Sequence, residues 1–207
     1  MDPNRSAAGE SWKALRPRDI VRRLSTLTVP WWVAGGWAID LFAGDQSRPH
    51  KDLDIGILRR DALAVIAALS SWEFYEAKGG KLTRLCGGHL PRADVNSLWG
   101  KPTGTAHWVL ELMLDNAEGD RWVFRRDCQI QCPLATTIRR NGEGIPYLAP
   151  EIQLLYKARA TRTQDQADFK LIAPRLGADA RAWLRDSLAK TDPGHGWLPL
   201  LNDLERA

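Results

Sequence analysis

GGWAIDLFAGDQSRPHKDLDIGIL, residues 35–58, is the stretch from which the architecture of this chain can be argued. The apolar run before it predicts a buried strand over 30–36 that turns at Gly35–Gly36. The residues after the glycines predict a helix over 36–44, closed by its final glycine. Asp52 and Asp54 then lie in a second predicted strand, over 52–58. Because successive side chains of a strand alternate between its faces, both carboxylates are predicted to leave the same face.

Two carboxylates on one face repel each other unless a cation lies between them. Taken alone, the pattern also fits a half-exposed strand whose polar residues face water. The glycine turn changes that interpretation, because Asp52 follows sixteen residues after Gly36. Glycines let the backbone approach a ligand closely, and the N–H groups at a helix start attract phosphate. Since Mg²⁺ binds carboxylate oxygens together with substrate phosphates, the combination predicts a site for Mg²⁺ and a phosphorylated ligand.

The composition is that of an ordinary globular protein, with 44% hydrophobic and 26% charged residues in a chain of 207. A net charge of +4 suits a polyanionic ligand such as a nucleotide, while the lack of a concentrated basic tract argues mildly against a nucleic-acid partner.

No apolar run is long enough for a membrane span and the polar N-terminal residues are unlike a signal peptide, so a cytoplasmic protein is expected. The three cysteines lack zinc-site spacing and are expected to be free thiols, buried or half-buried.

Hydrophobic periodicity divides the chain into two parts at residues 149–150. We predict an α/β domain over 1–148, of which 1–11 are flexible, and a helical region of four helices over 149–207. In the first part, helices are predicted at 17–27, 36–44 and 60–70, and strands at 30–36, 52–58, 72–77, 81–86, 93–99, 107–115 and 121–126, with two short ones within 134–148. The turn-forming residues DNAEGD predict a hairpin loop at 115–120.

GGWAIDLFAG…RPHKDLDI resembles the nucleotidyltransferase signature of the polymerase-β-like superfamily, and more narrowly that of the small enzymes that modify aminoglycosides and lincosamides. The resemblance continues through WVLELMLDNAEGDRWVFRRD (108–127) and YLAPEIQLLYKARATRTQDQADF (147–169). It implies an α+β fold with a nucleotidyltransferase-type mixed β-sheet, flanking helices and a C-terminal helical region. It also implies that acidic residues hold Mg²⁺, as two ions, and that a nucleoside monophosphate passes from a nucleoside triphosphate to a hydroxyl.

Such an enzyme needs a third carboxylate on a strand beside Asp52 and Asp54, and HWVLELMLD (107–115) offers Glu111 and Asp115 on one predicted face. Glu111 lies mid-strand between apolar neighbours, which is an unfavourable place for a merely solvated glutamate. Asp115 lies at the predicted strand end, where an acidic residue is ordinary turn chemistry. We therefore predict Asp52, Asp54 and Glu111 as the catalytic and metal-binding set, with Asp115 as the alternative third member.

The resemblance also implies nucleotide-binding roles outside these carboxylates. Gly35 and Gly36 are expected to hold the triphosphate, Arg48 to help neutralise it, and Lys157 to contact its outer phosphates. The alternatives are a surface-loop arginine and the exposed lysine of an amphipathic helix. His50 is equally consistent with a site residue and with a loop anchor.

Other polar residues carry weaker predictions. Asp165 and Asp168 share a helix face at i, i+3, for which a plain solvated face is favoured over a structural or active-site role. Gln164 stands where relatives often carry lysine. Asp40 is expected only to support the glycine turn, and Asp45, or Asp115 if it does not bind metal, is a candidate for holding the amines of an acceptor.

The function predicted from these residues is the transfer of AMP from ATP, or of another nucleotide, to a hydroxyl of a small molecule, with release of pyrophosphate. An aminoglycoside-type antibiotic is the leading acceptor. Two alternatives stay open: a nucleotidyltransferase toxin that modifies tRNA or a protein, and a non-catalytic protein that binds a nucleotide or a partner. The intact glycine turn and paired aspartates argue against the second, because a site without turnover has no need of two repelling carboxylates.

Overall fold

A computed structural model of the chain describes residues 4–6, 11–86 and 88–206. The strands formed by these residues are β1 (Asn4–Ser6), β2 (Trp31–Val33), β3 (Asp54–Leu58), β4 (Trp72–Lys78), β5 (Lys81–Arg84), β6 (Ser97–Pro102), β7 (Leu110–Glu118), β8 (Arg121–Val123), β9 (Gln131–Pro133), β10 (Ile138–Arg140) and β11 (Pro146–Leu148). The helices are α1 (Pro17–Arg23), α2 (Gly35–Ala43), α3 (Ala62–Ala68), α4 (Leu134–Thr137), α5 (Pro150–Ala158), α6 (Thr163–Ile172), α7 (Ala178–Thr191) and α8 (Trp197–Arg206). The predicted α+β class, with a mixed sheet and a helical C-terminal part, is confirmed.

The sheet runs in the order β1-β5-β4-β6-β7-β3-β2-β11-β10, and β8 and β9 extend from β7 as a separate antiparallel ribbon. Its centre decides the geometry of the site. β3 is parallel to β7 on one side and antiparallel to β2 on the other. The chain passes directly from β2 into α2, so the end of β2, the start of α2 and the start of β3 meet at one edge of the sheet.

Several predicted boundaries were wrong for identifiable reasons. The strand predicted at 93–99 is β6, which begins only at Ser97, because the Arg59 guanidinium donates to the Val95 carbonyl at 2.7 Å and holds the preceding loop. β7 continues through the predicted hairpin loop to Glu118, and the turn shrinks to two residues that include Gly119 at a φ of +58°. The first helix is also shorter than predicted and ends at Arg23.

The short elements β1, β9 and α4 were not predicted. The prediction that residues 1–11 are flexible falls mostly outside the described residues. Within that range, Asn4–Ser6 pair with Lys81–Thr83 of β5. The four predicted C-terminal helices are confirmed as α5 to α8.

The hydrophobic core extends from the sheet into the C-terminal helices. Fully buried side chains of one continuous cluster come from β3, β7, α2, α5 and α7, represented by Ile55, Leu112, Ile39, Leu154 and Leu184. β11 and α5 therefore contribute to the same hydrophobic core, although the secondary structure changes from strand to helix between them. The division into two domains at residue 148 stays a prediction.

Among the described residues, no helix is long and apolar enough to span a membrane. The three cysteines are free, as predicted. Their predicted burial was wrong for Cys86 and Cys128, which are exposed, while Cys132 is half-buried.

Candidate active site

A cavity of about 700 Å³ opens where α2 and β3 begin, and α5, α6 and the residues after β8 complete its walls. The predicted residues Gly35, Gly36, Arg48, Asp52, Asp54 and Lys157 all line it. Seven arginine and lysine residues and four aspartates contribute to the lining, so the cavity carries an excess of positive charge. Such a charge suits a polyanionic ligand. We call this cavity the cleft.

Gly35 brings the helix start into contact with the first carboxylate of β3. Its φ is +65°, and a Cβ atom at this position would lie 1.9 Å from Oδ2 of Asp54. The neighbouring Ala34 N–H donates to the Asp54 carbonyl at 2.8 Å, which fixes this approach. The Gly35 N–H itself donates to Oε1 of Gln153 at 2.7 Å. A phosphate that binds this N–H would therefore have to displace a side chain of α5.

Gly36 packs against the loop that precedes the aspartates. A Cβ there would lie 2.5 Å from Nδ1 of His50, whose other ring nitrogen, Nε2, donates to Asp40 Oδ2 at 2.5 Å. Nδ1 then accepts from the Arg48 guanidinium at 3.1 Å. Asp40 also accepts from the Ser47 backbone N–H and hydroxyl, at 3.1 and 2.6 Å. His50 is thus a buried anchor within the cleft wall, and the Asp40 side chain holds the 47–50 loop, not only the glycine turn expected for it.

Asp54, the first residue of β3, is the register partner of Glu111 on β7. Asp52 was predicted to lie in the strand but precedes it and is exposed. Burial raises the pKa of Asp54 well above its ordinary value, and the charges of Glu111 and Asp52 raise it further. Burial also raises the pKa of Glu111, partly offset by a 2.5 Å hydrogen bond from the Ser97 hydroxyl. The three predicted carboxylates are therefore electrostatic neighbours, although Glu111 is not among the residues that line the cleft.

Asp115, the alternative third carboxylate, does not lie at a strand end. It is an interior residue of β7, is 3% exposed, and accepts a 2.7 Å hydrogen bond from the Tyr156 hydroxyl. Burial raises its pKa, and the hydrogen bond from Tyr156 lowers it in part. The prediction of ordinary turn chemistry was wrong, because the strand continues past it and α5 covers it.

Lys157 lies at the cleft wall but is already paired with two carboxylates. Its Nζ lies 2.8 Å from Oδ1 of Asp165 and 2.9 Å from Oδ2 of Asp168. Both aspartates are buried, with 1% and 3% exposure, so the predicted solvated face was wrong. Arg162 adds a 2.8 Å ion pair to Asp165, and Arg48 lies 3.5 Å from Asp168. Although burial raises the pKa of Asp165, the hydrogen bonds from Arg162 and Lys157 lower it to about 2.

Among the lining residues to which sequence reasoning gave no role are Arg125, Arg126, Tyr156 and Arg159. Two of them, Arg125 and Arg126, are adjacent and follow β8. A usable signal was their position, since both follow a strand that pairs with β7, which carries Glu111.

The cleft fits a magnesium ion that arrives with its substrate better than a permanent metal cage. Among the described residues, no three His, Cys, Asp or Glu side chains converge as a ready metal site. Magnesium is commonly bound by one or two carboxylates plus substrate phosphates. Asp52 and Asp54 supply that donor set, and burial together with the charges of Glu111 and Asp52 raises the pKa of Asp54, an effect that a bound cation would offset.

Known proteins resemble this chain in sequence. The family described as aminoglycoside-2''-adenylyltransferase matches residues 18–172, well over half of the chain. A lincosamide resistance protein of Staphylococcus haemolyticus is 24% identical over 147 residues, which cover 70% of this chain and 84% of that protein.

Two solved structures share the fold. The lincosamide antibiotic adenylyltransferase LnuA, with lincomycin bound, superposes with a TM-score of 0.51 at 20% identity, over 74% of this chain and 92% of that chain. ANT(2")-Ia in complex with adenylyl-2"-tobramycin gives a TM-score of 0.53 at 17% identity, over 84% of this chain and 95% of that chain.

Proposed function

The chain belongs to the aminoglycoside-2''-adenylyltransferase family and is a nucleotidyltransferase, and from this premise we propose that it transfers AMP from ATP to a hydroxyl of an aminoglycoside-type antibiotic with the help of Mg²⁺. The observation that carries the proposal is the register pairing of Asp54 with Glu111, with the Gly35 backbone pressed against the Asp54 carboxylate. This arrangement puts paired acids beside a helix start at the edge of a basic cleft.

Asp52 and Asp54 are the residues that would hold Mg²⁺, with Glu111 completing the set. A divalent cation bound with the nucleotide supplies charge neutralisation for the departing pyrophosphate and helps to activate the attacking hydroxyl. The carboxylates contribute position and charge, which provide most of the catalysis in this class of reaction.

In the proposed step, the acceptor hydroxyl oxygen forms a bond to the α-phosphorus of the donor. The bond between that phosphorus and the bridging oxygen to the β-phosphate breaks, and pyrophosphate leaves with the bonding electron pair. The proton of the hydroxyl passes to the Glu111 carboxylate. Burial raises the pKa of Glu111, which makes its carboxylate a stronger base than an exposed one.

The triphosphate would lie along the start of α2, over Gly35 and Gly36. Arg48 lines the same wall and is held in place by His50 and Asp168. Lys157 faces the cleft from α5, and contact with the outer phosphates would require that it share its charge with Asp165 and Asp168.

A lincosamide is the second candidate acceptor, and the charge of the cleft favours it. Aminoglycosides carry several basic amines, whereas a lincosamide carries fewer, and cations are repelled by a cleft with a positive excess. Asp115 lines the cleft but its carboxylate accepts a hydrogen bond from Tyr156, and Asp45 is exposed and lies outside the lining. Neither is therefore placed as a free partner for an acceptor amine.

The test is pyrophosphate release with ATP and Mg²⁺ across a panel of aminoglycosides and lincosamides. Asp54→Asn is the matched control, because it keeps the side-chain volume and removes a charge. Acceptor-dependent release that Asp54→Asn abolishes supports the proposal and identifies the acceptor class. Release without any acceptor dependence, or equal release by Asp54→Asn, would contradict it.

A further inference from the structure

Three arginines form one wall of the cleft. Arg125 and Arg126 follow the end of β8, and Arg159 directly follows α5. Arg126 and Arg159 also line an adjacent cavity of about 670 Å³, so this wall is accessible from two sides. We call these three residues the arginine cluster.

The arginine cluster differs from other basic residues of the cleft in its ion pairing. Within residues 4–6, 11–86 and 88–206, none of the three takes part in an ion pair of 4 Å or less. Three other cations of the cleft, Arg48, Lys157 and Arg162, are each paired with Asp165 or Asp168. The cleft therefore contains basic residues that are paired with carboxylates of the protein and, among the described residues, basic residues that are not.

Packing holds two of the guanidinium groups in place. The Arg125 guanidinium lies 4.9 Å from the centre of the Tyr156 ring, and that of Arg126 lies 5.5 Å from it. Arg126 also donates to the Tyr156 carbonyl at 3.1 Å. The ring is itself packed edge-on against Phe124 at 5.1 Å. A guanidinium stacked on a ring keeps N–H groups at its edge for a further acceptor.

The charges of the arginine cluster act on one another and on the site. Burial lowers the pKa of Arg126, and repulsion from Arg125 and Arg159 lowers it further. Arg125 also acts on β7, where its charge lowers the pKa of both Glu111 and Asp115 against the larger effect of burial. The cluster therefore extends from beside the predicted catalytic carboxylate towards the second cavity, and an anion along it would relieve the repulsion.

We propose that the arginine cluster binds the β- and γ-phosphates of the donor nucleotide and keeps hold of pyrophosphate after transfer. This inference rests on the proposed function, since it names the residues that hold the leaving group of that reaction. Arginine forks match phosphate oxygens with paired hydrogen bonds, and the charge they neutralise grows as pyrophosphate departs. Lys157, which the resemblance suggested for this contact, is already ion-paired with Asp165 and Asp168.

Titration calorimetry with inorganic tripolyphosphate and with pyrophosphate tests the inference without any turnover. Arg125→Ala and Arg159→Gln are each expected to raise the dissociation constant about tenfold or more, because each removes a charge-assisted contact. Arg22→Ala is the matched control, since Arg22 is an exposed arginine paired with Asp19 and lies outside the cleft lining. It should change the dissociation constant less than twofold. Thermal unfolding of each variant verifies that it is folded, and Arg159→Gln changes an exposed side chain.

The outcomes separate this inference from the proposed function. Unchanged tripolyphosphate affinity in folded Arg125→Ala and Arg159→Gln would overturn the arginine cluster as the phosphate site, even if the wild-type protein transfers AMP. Loss of affinity in both variants supports the cluster, even if no acceptor in the antibiotic panel is modified. An equal loss in Arg22→Ala would show a general charge effect and would also overturn the inference.

Discussion

Asp54 and Glu111 are directly opposite each other on the parallel strands β3 and β7. Parallel register partners project from the same face of the sheet, so the two carboxylates are neighbours, and the charge of Glu111 helps to raise the pKa of Asp54. The fold holds them there with the Ala34 N–H on the Asp54 carbonyl and the Ser97 hydroxyl on the Glu111 carboxylate. A cation or a transferred proton between two such carboxylates would relieve their repulsion, which gives a functional reason for holding them in fixed positions.

Glu111→Gln should reduce kcat by about a hundredfold or more, the usual effect of losing a general base. The amide keeps an oxygen to accept from Ser97, so folding and nucleotide KM should change little. Asp115→Asn is the matched comparison, because its amide oxygen can still accept from Tyr156, and its kcat should stay within about tenfold of wild type. Steady-state kinetics of both variants checks this. A silent Glu111→Gln together with a dead Asp115→Asn would move the third catalytic role to Asp115.

Lys157→Met should lower the free energy of unfolding by roughly 3–5 kcal/mol, because it leaves Asp165 and Asp168 as buried carboxylates with fewer cationic partners. Lys170→Met, at an exposed lysine of α6, is the control and should cost less than about 0.5 kcal/mol. Urea unfolding measures both. If the two variants are equally stable, the ion pairs of Lys157 do not hold α5 to α6.

Asp165 gives the protein a defined loss of stability in acid. Its pKa falls from 3.8 to about 2 on folding, so the folded state favours the charged form. The resulting stability is fully present above about pH 5 and is lost as the pH falls towards 2, and it amounts to roughly 2 kcal/mol. Asp165→Asn should therefore show a smaller drop in unfolding free energy between pH 6 and pH 3 than wild type. Asp186→Asn, at an exposed aspartate, should keep the wild-type dependence, and an identical pH slope in all three proteins would refute the prediction.

The parts of the site that the sequence predicted are those coded within a short stretch. Gly35, Gly36, Asp52 and Asp54 lie within twenty residues of one another, and α2 and β3, which carry all of them except Asp52, were identified from periodicity and glycine placement. Glu111 was predicted as their neighbour because a glutamate between apolar residues on its own face is unusual, and it is the register partner of Asp54. These predictions rest on local sequence patterns, which do not depend on contacts between distant segments.

What the sequence did not predict depends on contacts between distant segments. Asp115 looked like a turn residue until Tyr156, forty-one positions later, covered it. Asp165 and Asp168 looked like a solvated helix face because their partner, Lys157, is on another helix. Arg125 and Arg159 are brought to one wall by the packing of β8 and α5, which no spacing in the sequence records.

Gly35→Ala should separate two reasons for a glycine at the start of α2. Its positive φ alone costs a side-chain-bearing residue about 1 kcal/mol, but the added Cβ would also lie 1.9 Å from Oδ2 of Asp54. Gly119→Ala is the matched control, because Gly119 has a similar φ of +58° with no atom within 4 Å of the added Cβ. We expect Gly119→Ala to lose about 1 kcal/mol of stability and keep its transfer activity. Gly35→Ala should lose more stability and most of its activity, because the Asp54 carboxylate must move. Equal stability losses, with activity retained in both, would show that the close approach of Gly35 to Asp54 has no part in the reaction.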